Sequence, residues 1–486
     1  MQSLKHKVIH GVIWRMLEQF GTQAITFVVS IILARLLGPD EFGTVALLSI
    51  FLALSNCLIN SGLGIALVQK KDTDDLDFNS VFYLHVGIGI FVYLVLWFCA
   101  PLIAAFYGKP VLVAVLRVSA LKLIFDSVSG VQNAVLTRNM LFKLGFRITL
   151  SGTIVGGVSG IWMAYAGYGL WALVWSSLLG GGVAMIVRWA LIGWRPRLMF
   201  SWQRTRGLFR YGSKLLVSNL LDTFFVQSYG LIIGKVYSVS DLAYYNRGDH
   251  LPQVLMSSIQ GAIGSVIFPA LSKIQDDKRK MKEAMRKVMQ TSSFFVFPMM
   301  FGLAVVAKPL VLVLLTEKWL PAVPFVQLAC ISYAFWPIHV ANLQAISATG
   351  RSDILLKLEI VKKTMLALML LLTFKHGVLA IMIGRVVLAP VSVFINSVPN
   401  KKIIGYSQLE QLKDILPELL LSSIMVFAAW TLSLAISHPL MLICTQILVG
   451  VTVYTAGAAI FKLEPAQFVS SQLMKFFTRI WKNKND

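Results

Sequence analysis

Several ionisable residues fall inside the long apolar runs of this 486-residue chain. Charge within hydrocarbon is costly, so such groups face a bundle interior or a wet cavity and mark paths for ions and polar solutes. Arg15 and Glu18 are spaced i,i+3 in the first run, and Lys122 and Asp126 i,i+4 in the fourth, so each couple shares a helix face. Gln19 and Gln23 extend the polar side of the first run, while Arg35, Arg117, Asp222, Arg247, Asp249 and Arg385 complete the set. Its basic members outnumber its acidic ones, which points to a cavity that tolerates an anion. Candidates for solute contact are Arg15, Glu18, Gln19, Gln23, Arg117, Lys122, Arg247 and Arg385. Candidates for ion coupling are Asp126, Asp222, Asp249 and His339. Asp222 sits mid-span with no local partner, and a lone buried carboxylate must pair or take up a proton.

Structural readings stand beside these. Arg15 lies one turn from its end of the run, where a long side chain snorkels. Lys122 and Asp126 neutralise each other, Arg35 and Lys235 complement helix C-termini, and His339, just after Pro337, suits a core histidine on a kink. No catalytic constellation, nucleotide-binding loop or metal-spaced His/Cys cluster occurs, so neither cofactor nor metal is expected and enzymatic or ATP-driven function is disfavoured. Cys57, Cys99, Cys330 and Cys444 lie in or beside apolar runs and read as small hydrophobes.

The elements that position these groups follow from hydropathy. Hydrophobic residues make up 57% of the chain and charged ones 14%, against roughly 25% charged in a soluble domain, so the expected fold is an all-α polytopic membrane protein. Fourteen spans are expected, at 12–36, 43–68, 80–105, 111–136, 145–166, 169–191, 212–236, 242–268, 291–315, 322–348, 355–374, 377–398, 415–436 and 439–461. The first is too long and too polar for a signal peptide and reads as a retained span. With the N-terminus in the cytoplasm, most of the 44 Lys and Arg residues fall on inward segments, and only Lys109, Lys235, Lys308, Lys318 and Lys375 fall outward. That asymmetry places both termini in the cytoplasm. It also accounts for the net charge of +22 without nucleic acid.

Two inward connections stand out. Residues 188–214 mix arginines with Trp189, Trp194, Trp202 and Phe209, the pattern of an interfacial anchor toward anionic headgroups. Residues 272–290 read as a helical extension with a solvated charged face. A duplication is also visible: ARLLGPDEFGTV near Arg35 aligns with GKVYSVSDLAYY, pairing Arg35 with Lys235, Glu41 with Asp241 and Phe42 with Leu242. Parallel repeats with a site between them are a common carrier plan. Two pseudo-symmetric six-helix lobes are expected at 1–200 and 201–400, followed by a helix pair and basic tail at 401–486. Glycine-rich stretches at 152–160 and 180–182 predict close helix approach.

LARLLGPDEFGTVAL at 33–47 resembles the start of bacterial polysaccharide transporters, the flippases of the multidrug/oligosaccharidyl-lipid/polysaccharide superfamily. IFPALSKIQDDKRKM at 267–281 and TEKWLPAVPFVQLACIS at 316–332 resemble the colanic-acid exporter branch. The resemblance covers essentially the whole chain. It implies an inward-open V of two lobes in the bacterial inner membrane, carrying an undecaprenyl-pyrophosphate-linked oligosaccharide to the outer leaflet. It further implies coupling to a proton or sodium gradient and contacts with membrane lipids, a polysaccharide polymerase and export machinery. Cavity arginines that meet the pyrophosphate in related flippases make Arg15 and Arg247 candidates by helix rather than by motif. The alternatives are a drug or cation exporter of the same superfamily, which would favour an acidic cavity, and a membrane polysaccharide polymerase or ligase, which would need a sizeable outward loop.

Overall fold

The computed structural model describes residues 2–60, 62–70, 72–467 and 471, with side chains described at all of these except 2–13, 15, 16, 208, 210, 211, 214, 215, 258, 260–266 and 268–270. Among the described residues there is helix and no strand. The chain divides into two compact units, Met1–Ala243 and Tyr244–Asp486.

The first unit contains α1 (Gln2–Leu36), the short helices α2 (Pro39–Ala46), α3 (Ser49–Asn60) and α4 (Leu63–Gln69), then α5 (Asp75–Tyr107), α6 (Val111–Ser119), α7 (Leu121–Arg138), α8 (Phe142–Tyr165), α9 (Leu170–Leu191) and α10 (Trp202–Val236). Helix α11 (Val239–Ser272) begins in this unit and continues into the second. The second unit holds α12 (Lys278–Leu315), α13 (Val323–Ala334), α14 (Trp336–Ala348), α15 (Ser352–Thr373), α16 (Val378–Ile403), α17 (Gln408–Thr431) and α18 (Pro439–Ile460).

Among the described residues, 11 helical stretches are long and apolar enough to cross a membrane. The other three expected positions are occupied by α6–α7 and α11, which carry charges singled out above, and by α15, whose first half holds Asp353, Lys357, Glu359, Lys362 and Lys363. Some expected spans are broken. Positions 43–68 hold parts of α2, α3 and α4, and the stretch around Pro337 divides after Ala334 because proline fits the first turn of a new helix but not the interior of an old one.

The sequence offset of two hundred residues holds in three dimensions. α1 ends at Leu36 and α10 at Val236, while α2 starts at Pro39 and α11 at Val239. Each turn is closed by its own acid: Glu41 Oε2 accepts from the Gly38 N–H at 2.8 Å, and Asp241 Oδ2 from the Ser238 N–H at 3.2 Å. The two turns also touch. Ser240 donates to Asp40, and a Cβ on Gly43 would lie 1.9 Å from the Val239 carbonyl oxygen, so only glycine fits there.

The link between α9 and α10 is non-helical and strapped to the start of α5. The Arg197 N–H donates to Asn79 Oδ1 at 2.5 Å, the Ser201 N–H to Ser80 Oγ at 2.9 Å, and the Tyr83 hydroxyl to the Arg197 carbonyl at 3.1 Å. Beneath the strap, fully buried Asp77 takes Lys70 at 2.5 Å and Arg204 at 3.7 Å. The Asp77 N–H bonded to the Asp74 carboxylate, with Arg204 nearby, holds the Asp74 carboxyl below its ordinary value. This cap therefore stabilises at neutral pH and is lost as pH falls through the depressed value.

Helices α8 and α9 meet backbone to backbone. A Cβ on Gly156 would lie 2.7 Å from the Ser176 carbonyl oxygen, and one on Gly152 2.6 Å from that of Gly180. Ser176 Oγ donates to the Gly156 carbonyl at 2.7 Å. Small residues permit this approach, and dispersion between the backbones then supplies the attraction that the hydrophobic effect cannot supply in lipid. Gly156→Leu should push the helices apart and destabilise the unit by about 1–3 kcal/mol. The check is the thermal midpoint in detergent by fluorescence-detected size exclusion, where an unchanged midpoint would refute the close-packing role.

Candidate functional site

Four ionisable residues of the first unit, Glu18, Lys122, Asp126 and Arg188, border two polar cavities. On α7, Lys122 Nζ donates to Asp126 Oδ2 at 2.7 Å, and Asn56 Nδ2 on α3 donates to the same oxygen at 3.2 Å. The Lys122 and Asp126 side chains are 40% and 30% exposed, so the pair is not sealed in the core. It borders a cavity of about 370 Å3 that is also lined by Ser129, Thr149, Thr153 and Arg188. The glycines of α8 and α9 line this cavity too, because a face without side chains leaves space unfilled. A second cavity of about 490 Å3 is lined by Glu18, Asn133, Thr137, Thr149 and Arg188. Thr149 Oγ1 donates to Glu18 Oε1 at 3.0 Å, which ties α1 to α8 at the cavity wall.

Other expected residues of this unit lie elsewhere. Gln19 is exposed and Gln23 half-buried, and neither lines these two cavities. The Arg15 side chain lies outside the described residues. Arg117 packs its guanidinium 4.3 Å from the Trp97 ring centroid and donates through Nε to the Trp97 carbonyl at 3.3 Å. Asp222 corrects an expectation: it is exposed, not buried. Between 216 and 228 α10 residues are half-buried or exposed, and the first buried one after them is Tyr229.

In the second unit, Asp249 on α11 and Arg385 on α16 come together. Arg385 Nη1 lies 2.7 Å from Asp249 Oδ1, each side chain 20% exposed. The contact is an ion pair rather than an aligned hydrogen bond, since that oxygen has no hydrogen-bond partner by angle. Two tyrosines frame it: Tyr333 Oη donates to Asp249 Oδ2 at 3.4 Å, and Arg385 donates to the Tyr245 hydroxyl at 3.4 Å. Arg247 is 9% exposed, with its guanidinium 5.1 Å from the Trp319 ring centroid. His339 Nδ1 lies 2.6 Å from Asn396 Nδ2, beside a buried amide cluster in which Asn342 donates to Gln411 and accepts from Asn400.

Comparison with known proteins sets these groups in context. A family model described as "Polysaccharide biosynthesis protein" matches residues 32–324. The chain belongs to the polysaccharide biosynthesis protein family. Among its relatives, the succinoglycan biosynthesis transport protein ExoT of Rhizobium meliloti is 27% identical over 67% of this chain and 66% of its own length. The lipopolysaccharide biosynthesis protein WzxC of Escherichia coli is 24% identical over 74% of each. Among solved structures, the lipid II flippase MurJ in an inward-closed conformation matches with a TM-score of 0.70 at 14% identity, covering 92% of this chain and 98% of its own. An inward-facing MATE-family multidrug transporter matches at 0.62 and 15% identity, covering 81% and 98%. This member of the polysaccharide biosynthesis protein family therefore has the fold shared by those transporters.

Three residues of this family member were not singled out from sequence as site candidates. Arg188 reads there as the first charge of a basic linker, yet it lies on α9 and borders both cavities. Thr149 is one hydroxyl among many, and only its contact with Glu18 marks it. Glu418 on α17 is 1% exposed, a burial that an acid near the end of an expected span does not announce. A signal was available for the α7 face: Lys122, Asp126, Ser129 and Asn133 recur at helical spacing.

Removing one partner of the Asp249–Arg385 pair leaves a charge uncompensated. Asp249→Asn should cost about 3 kcal/mol, the low end for a buried pair because both groups retain some exposure. Replacing both, as Asp249→Leu with Arg385→Met, should recover most of it. The unfolding midpoints of the two variants decide this, and equal losses would show that the pair is not coupled.

Proposed function

We propose that this protein is a carrier that moves a polyprenyl-pyrophosphate-linked oligosaccharide, of the undecaprenyl class, across the bacterial inner membrane by alternating access. Family membership across residues 32–324 carries the proposal, supported by relatives named for succinoglycan and lipopolysaccharide biosynthesis and by a fold shared with a lipid II flippase. No covalent step is involved. The obstacle is the polar head, each unpaired polar group of which costs several kcal/mol in hydrocarbon, and a wet, charged interior removes most of that barrier while the apolar tail stays in lipid.

In this reading α6–α7, α11 and α15 also cross the membrane, giving fourteen spans with both termini cytoplasmic. The basic skew of the inward connections supports that orientation. The two halves act as lobes, and a polymerase with its export machinery receives the product. Arg247 and Arg385 meet the pyrophosphate by exchanging their internal partners, Trp319 and Asp249, for the incoming anion. The Lys122–Asp126 pair takes part in coupling to a proton or sodium gradient. A drug or cation exporter of the same fold is the second reading, favoured by the MATE likeness alone.

Purified protein in liposomes containing a fluorescent polyprenyl-pyrophosphate oligosaccharide tests the proposal. Wild type should expose the sugar to a lectin or quencher on the opposite leaflet. Arg247→Ala should slow this roughly tenfold or more, the loss of at least one charge-assisted contact, while inserting normally. Normal flipping by that variant would remove Arg247 from the site. Failure of wild type with lipid-linked sugars, together with extrusion of organic cations, would favour the exporter reading.

A further inference from the structure

The two cavities of the first unit share a wall. Along α7, Lys122, Asp126, Ser129 and Asn133 form one stripe, since steps of four, three and four residues return to the same helix face. Lys122, Asp126 and Ser129 line the first cavity, and Asn133 lines the second together with Glu18. Thr149 and Arg188 border both. The second cavity reaches exposed Thr137 and Leu141 at the α7–α8 connection. Asp126 lies twelve residues back from the end of α7 at Arg138, a depth of about 18 Å at the helical rise.

Arg188 is the unusual member of this wall. Its Nε is buried without a hydrogen-bond partner, and no ion pair to it occurs among the described residues. A guanidinium has five donors and does not lose its proton, so a site that holds it without protein partners must supply water. The fields of both Asp126 and Glu18 reach it, yet it is bonded to neither. It is therefore a cation standing between two carboxylates, one belonging to each cavity.

We propose that the two cavities form one water-filled conduit inside the first unit, delivering protons from the α7–α8 end to Asp126, with Arg188 as the charged gate between its halves. A hydronium arriving at Asp126 gives its proton to the carboxylate, leaving water and a neutral acid, while Lys122 keeps its own proton and loses its counterion. The ligand is a proton rather than a metal ion because the Lys122 ammonium, 2.7 Å from Asp126 Oδ2, occupies the seat a cation would take. Among the described residues no group of three His, Cys, Asp or Glu could hold a metal. The proton's role in transport rests on the coupling reading above; the conduit does not.

Cysteine labelling separates the two. In a chain with Cys57, Cys99, Cys330 and Cys444 replaced, single cysteines at Asn133, Ser129 and exposed Phe98 on α5 are treated with a membrane-impermeant cationic thiosulfonate and with a neutral one of similar size. The reagents are applied to inverted vesicles and to intact cells. Asn133→Cys should react rapidly from the α7–α8 side, Ser129→Cys more slowly, and Phe98→Cys negligibly. Arg188→Ala should raise the cationic rate at position 129 roughly tenfold, the scale of a local field on a charged reactant. It should raise the neutral rate less and leave position 133 unchanged, and Arg188→Lys should restore the slow rate. Unchanged labelling at position 133, with a monodisperse profile in detergent, verifies folding, and Arg188→Gln serves in its place if Arg188→Ala does not pass. A Ser129→Cys that stays unreactive with and without the arginine, or that reacts at a rate independent of it, overturns the conduit. Labelling as expected with substrate flipping indifferent to a pH gradient overturns the coupling reading alone.

Discussion

A charge carried into the apolar part of this protein needs a compensating group or water, because an uncompensated ion in hydrocarbon costs more than any single helix contact returns. The rest of the arrangement follows from how that is met. Where an acid is available it is used, as in Lys122 with Asp126 and Arg385 with Asp249. Aromatic rings are used as well: Arg117 rests on Trp97, Arg247 on Trp319 and Lys235 on Phe106. A ring face attracts a cation without adding a negative charge. Among the described residues Arg188 is held in neither way and lies instead on the wall of the two cavities.

Glycine works in two opposed ways within the same helices. On the facing sides of α8 and α9 it lets backbones approach closely enough for Ser176 to bond the Gly156 carbonyl. Where those helices turn toward α7 and α1, the same absence of side chains leaves the cavities that Lys122, Asp126 and Arg188 border. Tight packing and open polar space are adjacent consequences of one composition. A larger residue would destroy the first where it faces a backbone and fill the second where it faces the cavity.

Much of this was legible in the residues. Chain reversals around Gly38 and Ser238 were visible because turn chemistry is local, and each acid caps its own turn. The break at Pro337 and the contact of the glycine-rich stretches follow from backbone geometry alone. What was not legible depended on coverage by elements distant in sequence. Asp222 looks like a buried carboxylate by its place in an apolar run, but its own face of α10 is exposed. Arg188 looks like a linker charge because hydropathy counts it near an end, whereas packing turns it onto the cavities. Asp249 and Arg385 were each noticed, but their union requires α16 to return beside α11, which no local pattern encodes.

Helix α12 has a consequence that concerns mechanics rather than chemistry. Its 38 residues run unbroken through Pro298 and Pro309, a length of about 57 Å at the helical rise, while the hydrocarbon slab is roughly 30 Å thick. The projecting part is not a loose rod. Met281, Met285 and Met289 are buried, and Lys282 and Arg286 grip Glu410 and Asp414 on α17 at 2.8 and 2.9 Å. A braced shaft of this kind would act as a lever, carrying a tilt within the bilayer outward to its tip. Any tilt of α12 in the bilayer would therefore reach its aqueous end together with α17, as a displacement that an attached probe would read.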